Sequence, residues 1–452
     1  MKLLDGLFRS EEVEKWLSER TCLQGILSFE SALAKAEAHA GVIPSSAVQA
    51  ISQQCKAPLF DLDALARAAK SSGNIAIPIV KALTALVAKN NAEAARYVHW
   101  GATSQDVIDT GLILQLRGAL TCVASDLDTL AKGLAELATT HRSTVMVGRT
   151  WMQQALPTTF GAKVAGWLDA VDRHRERLHE TQRRCLVLQF GGAVGTLAAL
   201  NENADAVAKS LSEELKLPLP EIPWHSHRDR VAEVATTLGL LVGTLGKIAK
   251  DISLLAQTEV AEVFEAGESG RGGSSTMPHK RNPVACAAVL SAAIRVPGLV
   301  GTMLAAMPQE HERGLGGWHA EWETLPEIVS LAGGAVHTMA EIAPRLEVDA
   351  ERMRQNLDAT RGLIFAEAIS MALAQKIGKA NAHGLVEAAC DSARTNGKHL
   401  SDVIRGDATV TQHFSAVEID GFFDARRYLG QAEEFVDRVV AASKTIENSL
   451  GG

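Results

Sequence analysis

VAEVATTLGLLVGTLGKIAKDISLL, residues 231–255, carries apolar side chains at Val231, Val234, Leu238, Leu241, Leu245, Ile248, Ile252 and Leu255. Their spacing is 3-4-3-4-3-4-3, and steps of three and four return to one side of a helix. The stretch predicts about seven turns of helix with a single apolar seam. A second seam, Leu116, Leu120, Val123, Leu127, Leu130, Leu134 and Leu137, repeats at 4-3-4-3-4-3. Several such seams joined by compact connections predict a bundle of long helices rather than a free two-stranded coiled coil.

The rest of the chain agrees with that reading. Proline, which breaks a helix interior, is missing from 79–156, 158–217, 224–277 and 345–452. Aromatic residues make up only 4% of the 452 residues, and low aromatic and β-branched content disfavours strands while Ala and Leu favour helix. Further helices are expected from about Pro157 to Val187 and over 284–305 and 325–343, with one short strand candidate at Thr144–Val147. Towards both ends the pattern shortens. Breaks fall at Gly41–Pro44, Ala57-Pro58 and Ser71–Asn74, then at Gly378, Asn396-Gly397 and Asp420-Gly421. The expected architecture is all-α in three helical domains: 1–105, a central long-helix bundle 106–355, and 356–452. Seams this long leave an apolar face on a monomer, so self-association is expected.

Charge excludes some functions. Forty-five basic and 53 acidic residues leave a net charge of −8, which offers no general attraction to nucleic acid or an anionic membrane. A local cationic pocket stays compatible with it. No unbroken apolar run reaches about 18 residues, so no membrane span is expected. The first residues, MKLLDGLFRSEEVEKW, become charged too early for a signal-peptide core. Cys22, Cys55, Cys122, Cys185, Cys286 and Cys390 lie far apart without a CxxC pair. They are expected to be reduced thiols of a cytoplasmic protein rather than a disulfide or zinc framework.

Three polar or Gly-rich segments interrupt the helical pattern. His99-Trp100-Gly101-Ala102-Thr103-Ser104-Gln105-Asp106 precedes the first long seam. Thr103 or Ser104 can cap that helix, whose N-terminal N–H groups suit a carboxylate. Gly148-Arg149-Thr150-Trp151-Met152-Gln153-Gln154-Ala155-Leu156-Pro157 is expected to open another bundle helix. The third, Gly267 to Pro283, joins four glycines to Ser274, Lys280 and Asn282 and is expected to close round an anion. His225 and His227 invite a metal, but residues two apart do not share a helix face and no ligand-spaced cluster accompanies them. Trp318, His319 and Trp322 are expected to pack in the core or at an interface.

Gly273-Ser274-Ser275-Thr276-Met277-Pro278-His279-Lys280-Arg281-Asn282-Pro283 resembles the GSSxMPxKxNP signature of the class II fumarase/aspartase superfamily, and the first two segments resemble its other two active-site regions, in the same order. The resemblance covers essentially the whole chain. It implies three α-helical domains and a homotetramer around a core of 20 helices, with active sites shared by three subunits. It also implies Ser274 as the base candidate, with Lys280 and Asn282 stabilising a carboxylate as it gains charge.

The departures from that pattern narrow the chemistry. Members that eliminate fumarate use a His in the second region and a Glu five residues after the signature Asn. Trp151 and Ala287 stand at those positions here. Intramolecular lactonisation does without that relay, because the attacking carboxylate is already ionised near neutral pH. Arg96–Asp106, Gly148–Trp151, Pro223–Arg230 and Gln309–Glu323 also resemble the lactonising members of this superfamily, and that resemblance implies a small tricarboxylate substrate that closes to a γ-lactone, with no metal or organic cofactor. Lys280 and Arg313 are the expected cationic contacts, with Arg149 a further candidate. Thr103, Ser104 and Gln153 would orient carboxylates, and Trp151 would form an apolar wall. Lys280 or Ser274 would protonate carbon. His99 is either a site residue or a structural histidine. A superfamily lyase releasing fumarate and a non-catalytic scaffold are the alternatives.

Overall fold

The computed structural model describes residues 2–266, 277 and 280–450. Ser274, the base candidate, lies outside the described residues, as does most of the signature loop. The described chain is predominantly helical. Its long helices are Ser104–Thr140, Phe160–Cys185, Asp229–Leu255, Val284–Ala305 and Gly317–Ile342, flanked by shorter ones such as Glu19–His39 and Lys379–Asn396. Every residue of the two seams read from the sequence is buried. The 3-4 spacing therefore marks the faces on which the long helices pack.

Contacts divide the chain into two compact units. One comprises the chain up to Leu127 with His174–Gly246 and Ala288–Thr338; the other comprises Asp128–Arg173, Lys247–Ala287 and the chain from Met339 onward. In the first unit, Glu19–His39 packs on Ser45–Gln54 and Ala204–Leu215. It also crosses Ser104–Thr140 so closely that a Cβ on Gly25 would stand 2.9 Å from the Gly111 carbonyl oxygen. Only a pair of glycines admits that approach. The same unit buries Arg228 between two acids. Its guanidinium donates to Asp109 at 2.7 and 3.1 Å and to Glu321 at 2.5 to 3.1 Å, while Trp318 donates to Asp109 at 3.0 Å. Removing one partner of such a buried set would strand the others at a cost of several kcal/mol. Trp318 meets His319 and Trp322 edge to face, and His319 and Trp322 meet at a tilt; Trp318 is buried, Trp322 half-buried and His319 exposed, so only the first is core packing.

In the second unit, strands Val145–Thr150 and Gln153–Thr159 form an antiparallel hairpin, and helix Ala350–Asp358 packs on the first of them. Val263–Phe264 pairs with Glu347–Val348. A separate apolar cluster, including Ile369, Leu373, Val386, Leu400, Ile404 and Ile419, holds the C-terminal helices together.

Four expectations change. The strand candidate runs on to Thr150 and has a partner strand, so the segment from Gly148 makes a hairpin instead of opening a helix. The helix begins only at Phe160, where Thr159 Oγ1 accepts the Ala162 N–H at 3.0 Å. Short strands at 263–264 and 347–348 went unpredicted, because two residues carry no period. The helix expected from 325 starts at Gly317 and contains Pro326. Finally, three helices, Ser104–Thr140, Asp229–Leu255 and Val284–Ala305, are long and apolar enough to cross a membrane. Counting unbroken apolar runs misses them because small and polar residues interrupt otherwise apolar windows. The first two are buried over 67% and 61% of those windows, the third over only 28%. All six cysteines are free.

One buried acid stands out from this packing. Glu37 is completely buried, and neither of its carboxylate oxygens has a hydrogen-bond partner among the described residues. Burial, and then the charge of Glu30, push its pKa from the ordinary 4.5 up to about 9. The folded chain therefore holds a proton that the unfolded chain releases once pH exceeds 4.5. Stability contributed by this group falls by about 1.4 kcal/mol per pH unit between those two values. Glu37→Gln removes that slope. Urea denaturation across pH 4 to 8 should show the variant gaining on the parent as pH rises, with the same offset throughout counting against a buried neutral acid.

Candidate active site

The Ser104–Thr140 helix begins with a reciprocal cap. Asp106 N–H donates to the Thr103 carbonyl at 3.0 Å, and the Asp106 carboxylate accepts the Thr103 N–H at 3.0 Å. An acid in the first helical turn favours such an arrangement. Here the acid does much more. Its Oδ1 accepts from Gly191 N–H at 2.9 Å, from Gln189 Nε2 at 3.3 Å and from His225 Nε2 at 2.8 Å, while its Oδ2 also accepts from Gly192 N–H at 2.9 Å. Asp106 is fully buried. It pins the helix start to the 189–192 turn and to the segment carrying His225.

On this foundation Arg313 comes to lie at the helix start. Its Nε donates to Gln105 Oε1 at 3.1 Å, and one terminal nitrogen donates to Thr103 Oγ1 at 3.2 Å and to the Ala193 carbonyl at 3.0 Å. A guanidinium at a helix N-terminus is a place for a carboxylate. The fold thus brings Arg313 to Thr103 across 210 residues, with Ser104 next to Thr103 in the chain. His99 belongs to the same turn. It holds a left-handed backbone, φ 59°, and its Nδ1 lies 2.6 Å from Glu30 Oε1. Burial lowers its pKa, but the charge and hydrogen bond of Glu30, with the charge of Asp106, outweigh that and raise it.

The second unit carries the other candidates. Trp151 and Met152 form the tip of the hairpin with φ values of 50° and 64°, and Thr150 pairs with Gln153 across them. Two left-handed residues between paired strands make the tight turn whose twist matches a hairpin. Trp151 is 98% exposed, so among the described residues it walls nothing. Gln153 is exposed beside it. Arg149 is not available as a substrate cation. It donates to both oxygens of the fully buried Glu262 at 2.9 and 2.7 Å, and Asn356 donates to the same carboxylate at 2.8 Å. Its charge is consumed in holding the hairpin.

Glu262 leads directly into Val263–Phe264, and this short strand also anchors the end of the signature segment. Arg281 lies over the Phe264 ring, its guanidinium carbon 4.9 Å from the centroid. It donates to the Glu265 carbonyl at 2.7 Å and pairs with Glu347 at 2.8 Å. The Glu265 carboxylate caps Val284–Ala305 by accepting from Ala285 N–H at 3.1 Å and Cys286 N–H at 2.8 Å. Lys280 is exposed and Asn282 half-buried on either side of Arg281. Ala287 sits in the first turn of that helix.

Sequence reasoning passed over Asp106 and Glu30 as individuals. Asp106 carried a readable signal, an acid three residues after a capping Thr; Glu30, on a distant helix, carried none. His225 is buried and bound to Asp106, whereas His227 is exposed. Among the described residues no group of three or more His, Cys, Asp or Glu stands close enough to hold a metal ion.

Comparison with known proteins places this arrangement. Residues 9–298 match the family described as "Lyase", and residues 362–439 match the family described as "Adenylosuccinate lyase C-terminus". The chain is 54% identical to the 3-carboxy-cis,cis-muconate cycloisomerase of Bradyrhizobium diazoefficiens, over 97% of both chains. The crystal structure of 3-carboxy-cis,cis-muconate lactonizing enzyme from Pseudomonas putida superposes with a TM-score of 0.94 at 52% identity, covering 99% of this chain and 100% of that one. The β-carboxy-cis,cis-muconate cycloisomerase from Acinetobacter calcoaceticus sp. ADP1 gives 0.92 at 45% identity, covering 97% and 100%. The chain belongs to this lyase family, within the class II fumarase/aspartase superfamily and alongside the 3-carboxy-cis,cis-muconate cycloisomerases.

Proposed function

We propose that the protein is an intramolecular lyase that interconverts 3-carboxy-cis,cis-muconate and 4-carboxymuconolactone in the protocatechuate branch of the β-ketoadipate pathway. The observation that carries the chemistry is a paired loss. Trp151 and Ala287 replace both halves of the proton relay that the eliminating relatives use, while the Thr103–Arg313 carboxylate site is intact. An internal carboxylate arrives already ionised and leaves as a stable anion, so neither step calls for that relay. Whole-length similarity to cycloisomerases supports the same reading.

In the reaction one carboxylate oxygen of the substrate bonds to a diene carbon. The displaced electron pair moves into the neighbouring carboxyl group, giving an enediolate, and the adjacent carbon then takes a proton. Arg313, Thr103 and Ser104 orient carboxylates at the helix start, and His99 and Gln153 add polar contacts. Lys280 and Asn282 stabilise the enediolate, and Lys280 or Ser274 delivers the proton. Trp151 supplies the apolar wall. The reading calls for no metal, organic cofactor, nucleic acid or membrane, and it places the enzyme in the cytoplasm.

The assembly belongs to the proposal as well. The domain division is 1–105, 106–355 and 356–452, and the subunit is one of four around a 20-helix core, with each active site drawn from three subunits. Two features support this. Val284–Ala305 is strongly apolar yet exposes Ile294 and Leu304, a face that water would not be left to cover. Trp151 and Met152 project from the hairpin tip, 98% and 74% exposed among the described residues.

Mixing the purified protein with 3-carboxy-cis,cis-muconate should bleach the diene absorbance and yield a lactone without fumarate. An unchanged triacid, with a succinyl adduct cleaved instead, would overturn the assignment. Lys280→Ala should lower turnover by on the order of 10²–10³, the cost of deleting one oxyanion donor, without changing oligomeric mass. Ile294→Glu should reduce the sedimenting mass from tetramer to smaller species and remove activity with it. A fully active monomer would disprove shared sites.

A further inference from the structure

Glu30 has no place in the chemistry above, yet it is one of the most costly residues in the first unit. Its side chain is completely buried, and a buried carboxylate needs a cation or a proton. Oε1 faces His99 Nδ1 at 2.6 Å. Oε2 has no partner among the described residues. About two turns further along the same helix sits Glu37, neutral and without a hydrogen-bond partner among the described residues. Among the described residues, no arginine or lysine pairs with Glu30, and His99 is its cationic partner.

His99 itself is held in an unfavourable backbone conformation, φ 59°. Non-glycine residues adopt that region at a cost of about 1–2 kcal/mol. Gly101, two residues on, is also left-handed at φ 70°. The turn is therefore bent so that the ring meets Glu30 while its backbone runs on into the capped helix carrying Thr103. The carboxylate can only accept, so Nδ1 carries the proton of that bond and Nε2 becomes the ring's outward group. The histidine side chain keeps 17% of its surface exposed.

We propose that Glu30 is a positioning residue whose carboxylate, 2.6 Å from Nδ1, fixes the His99 ring and favours its doubly protonated form, so that Nε2–H donates to a carboxylate of the substrate. The inference rests on the tricarboxylate reading of the site. It gives a triacid a further positive group in a protein whose net charge is −8. Glu30 offsets in the interior the charge that His99 presents at the site. The other titratable groups around the pair are consistent with this. Asp106 faces it from the Ser104–Thr140 helix and raises the His99 pKa further. Glu37 is neutral at physiological pH. Burial, then Glu30, pushes the Cys55 thiol up, so it too stays neutral.

The test uses the full-length protein and two independent readouts. Imidazole titration of His99 by NMR and the pH profile of kcat/KM on 3-carboxy-cis,cis-muconate are measured in the parent, Glu30→Gln and Glu30→Asp. Glu30→Gln keeps a hydrogen-bonding side chain of the same size but removes the charge. It should lower the His99 midpoint by at least one pH unit and move the basic limb of the profile down with it, raising KM more than it lowers kcat. Glu30→Asp should restore part of both. In a His99→Gln background Glu30→Gln should add nothing, because its effect passes through the ring. An unchanged His99 midpoint in Glu30→Gln, or losses that multiply in the double variant, would overturn the proposal. If the triacid is not turned over at all, the substrate reading fails, whereas the NMR titration still decides whether Glu30 sets the charge of His99.

Discussion

A carboxylate enclosed at the start of a long helix organises the first unit. Asp106 receives hydrogen bonds from Thr103, Gln189, Gly191, Gly192 and His225. A buried acid so fully satisfied acts as a fixed node, since losing any one donor exposes charge to an apolar interior. The node decides where the helix begins, and so where its free N–H groups point. It also sets the 189–192 turn, whose neighbour Ala193 receives Arg313. The contact between Thr103 and Arg313 therefore rests on an acid that takes no direct part in it.

The second unit follows the same logic with a different acid. Glu262 is buried beneath the hairpin and takes both arms of Arg149 together with Asn356. Three residues later Glu265 caps the helix that carries Ala287, and its carbonyl receives Arg281. One short strand therefore holds the hairpin that displays Trp151 and the segment that carries Lys280 and Asn282. Cations that composition alone offers to a substrate are divided by the fold. Arg149, Arg228 and Arg281 are committed internally, and Arg313 is left at a helix start where a carboxylate can join its existing partners.

Exposure is unevenly distributed among the long helices. Residues of the two long seams are buried within the chain, but the Val284–Ala305 helix keeps much of its apolar surface uncovered. Such a helix is a poor design for an isolated subunit and a sensible one for a bundle shared among copies. Trp151 is likewise left nearly bare at the hairpin tip.

Much of this was written in local patterns. The helical class and its seams follow from apolar spacing, which depends only on residues three and four apart, and the altered chemistry is legible in Trp151 and Ala287 standing where a His and a Glu are expected. The hairpin was misjudged because its two left-handed residues, Trp151 and Met152, are not the glycine or asparagine that usually announce such a turn. Other features had no local signature at all. Glu30 meets His99 across 69 positions, Arg149 meets Glu262 across 113, and His225 meets Asp106 across 119. Which acid receives which base is set by how helices cross, as where Gly25 lets two of them touch at Gly111. Periodicity tells a helix which face to bury; only the packed chain decides what each buried charge finds there, because desolvation makes every unpaired alternative too costly.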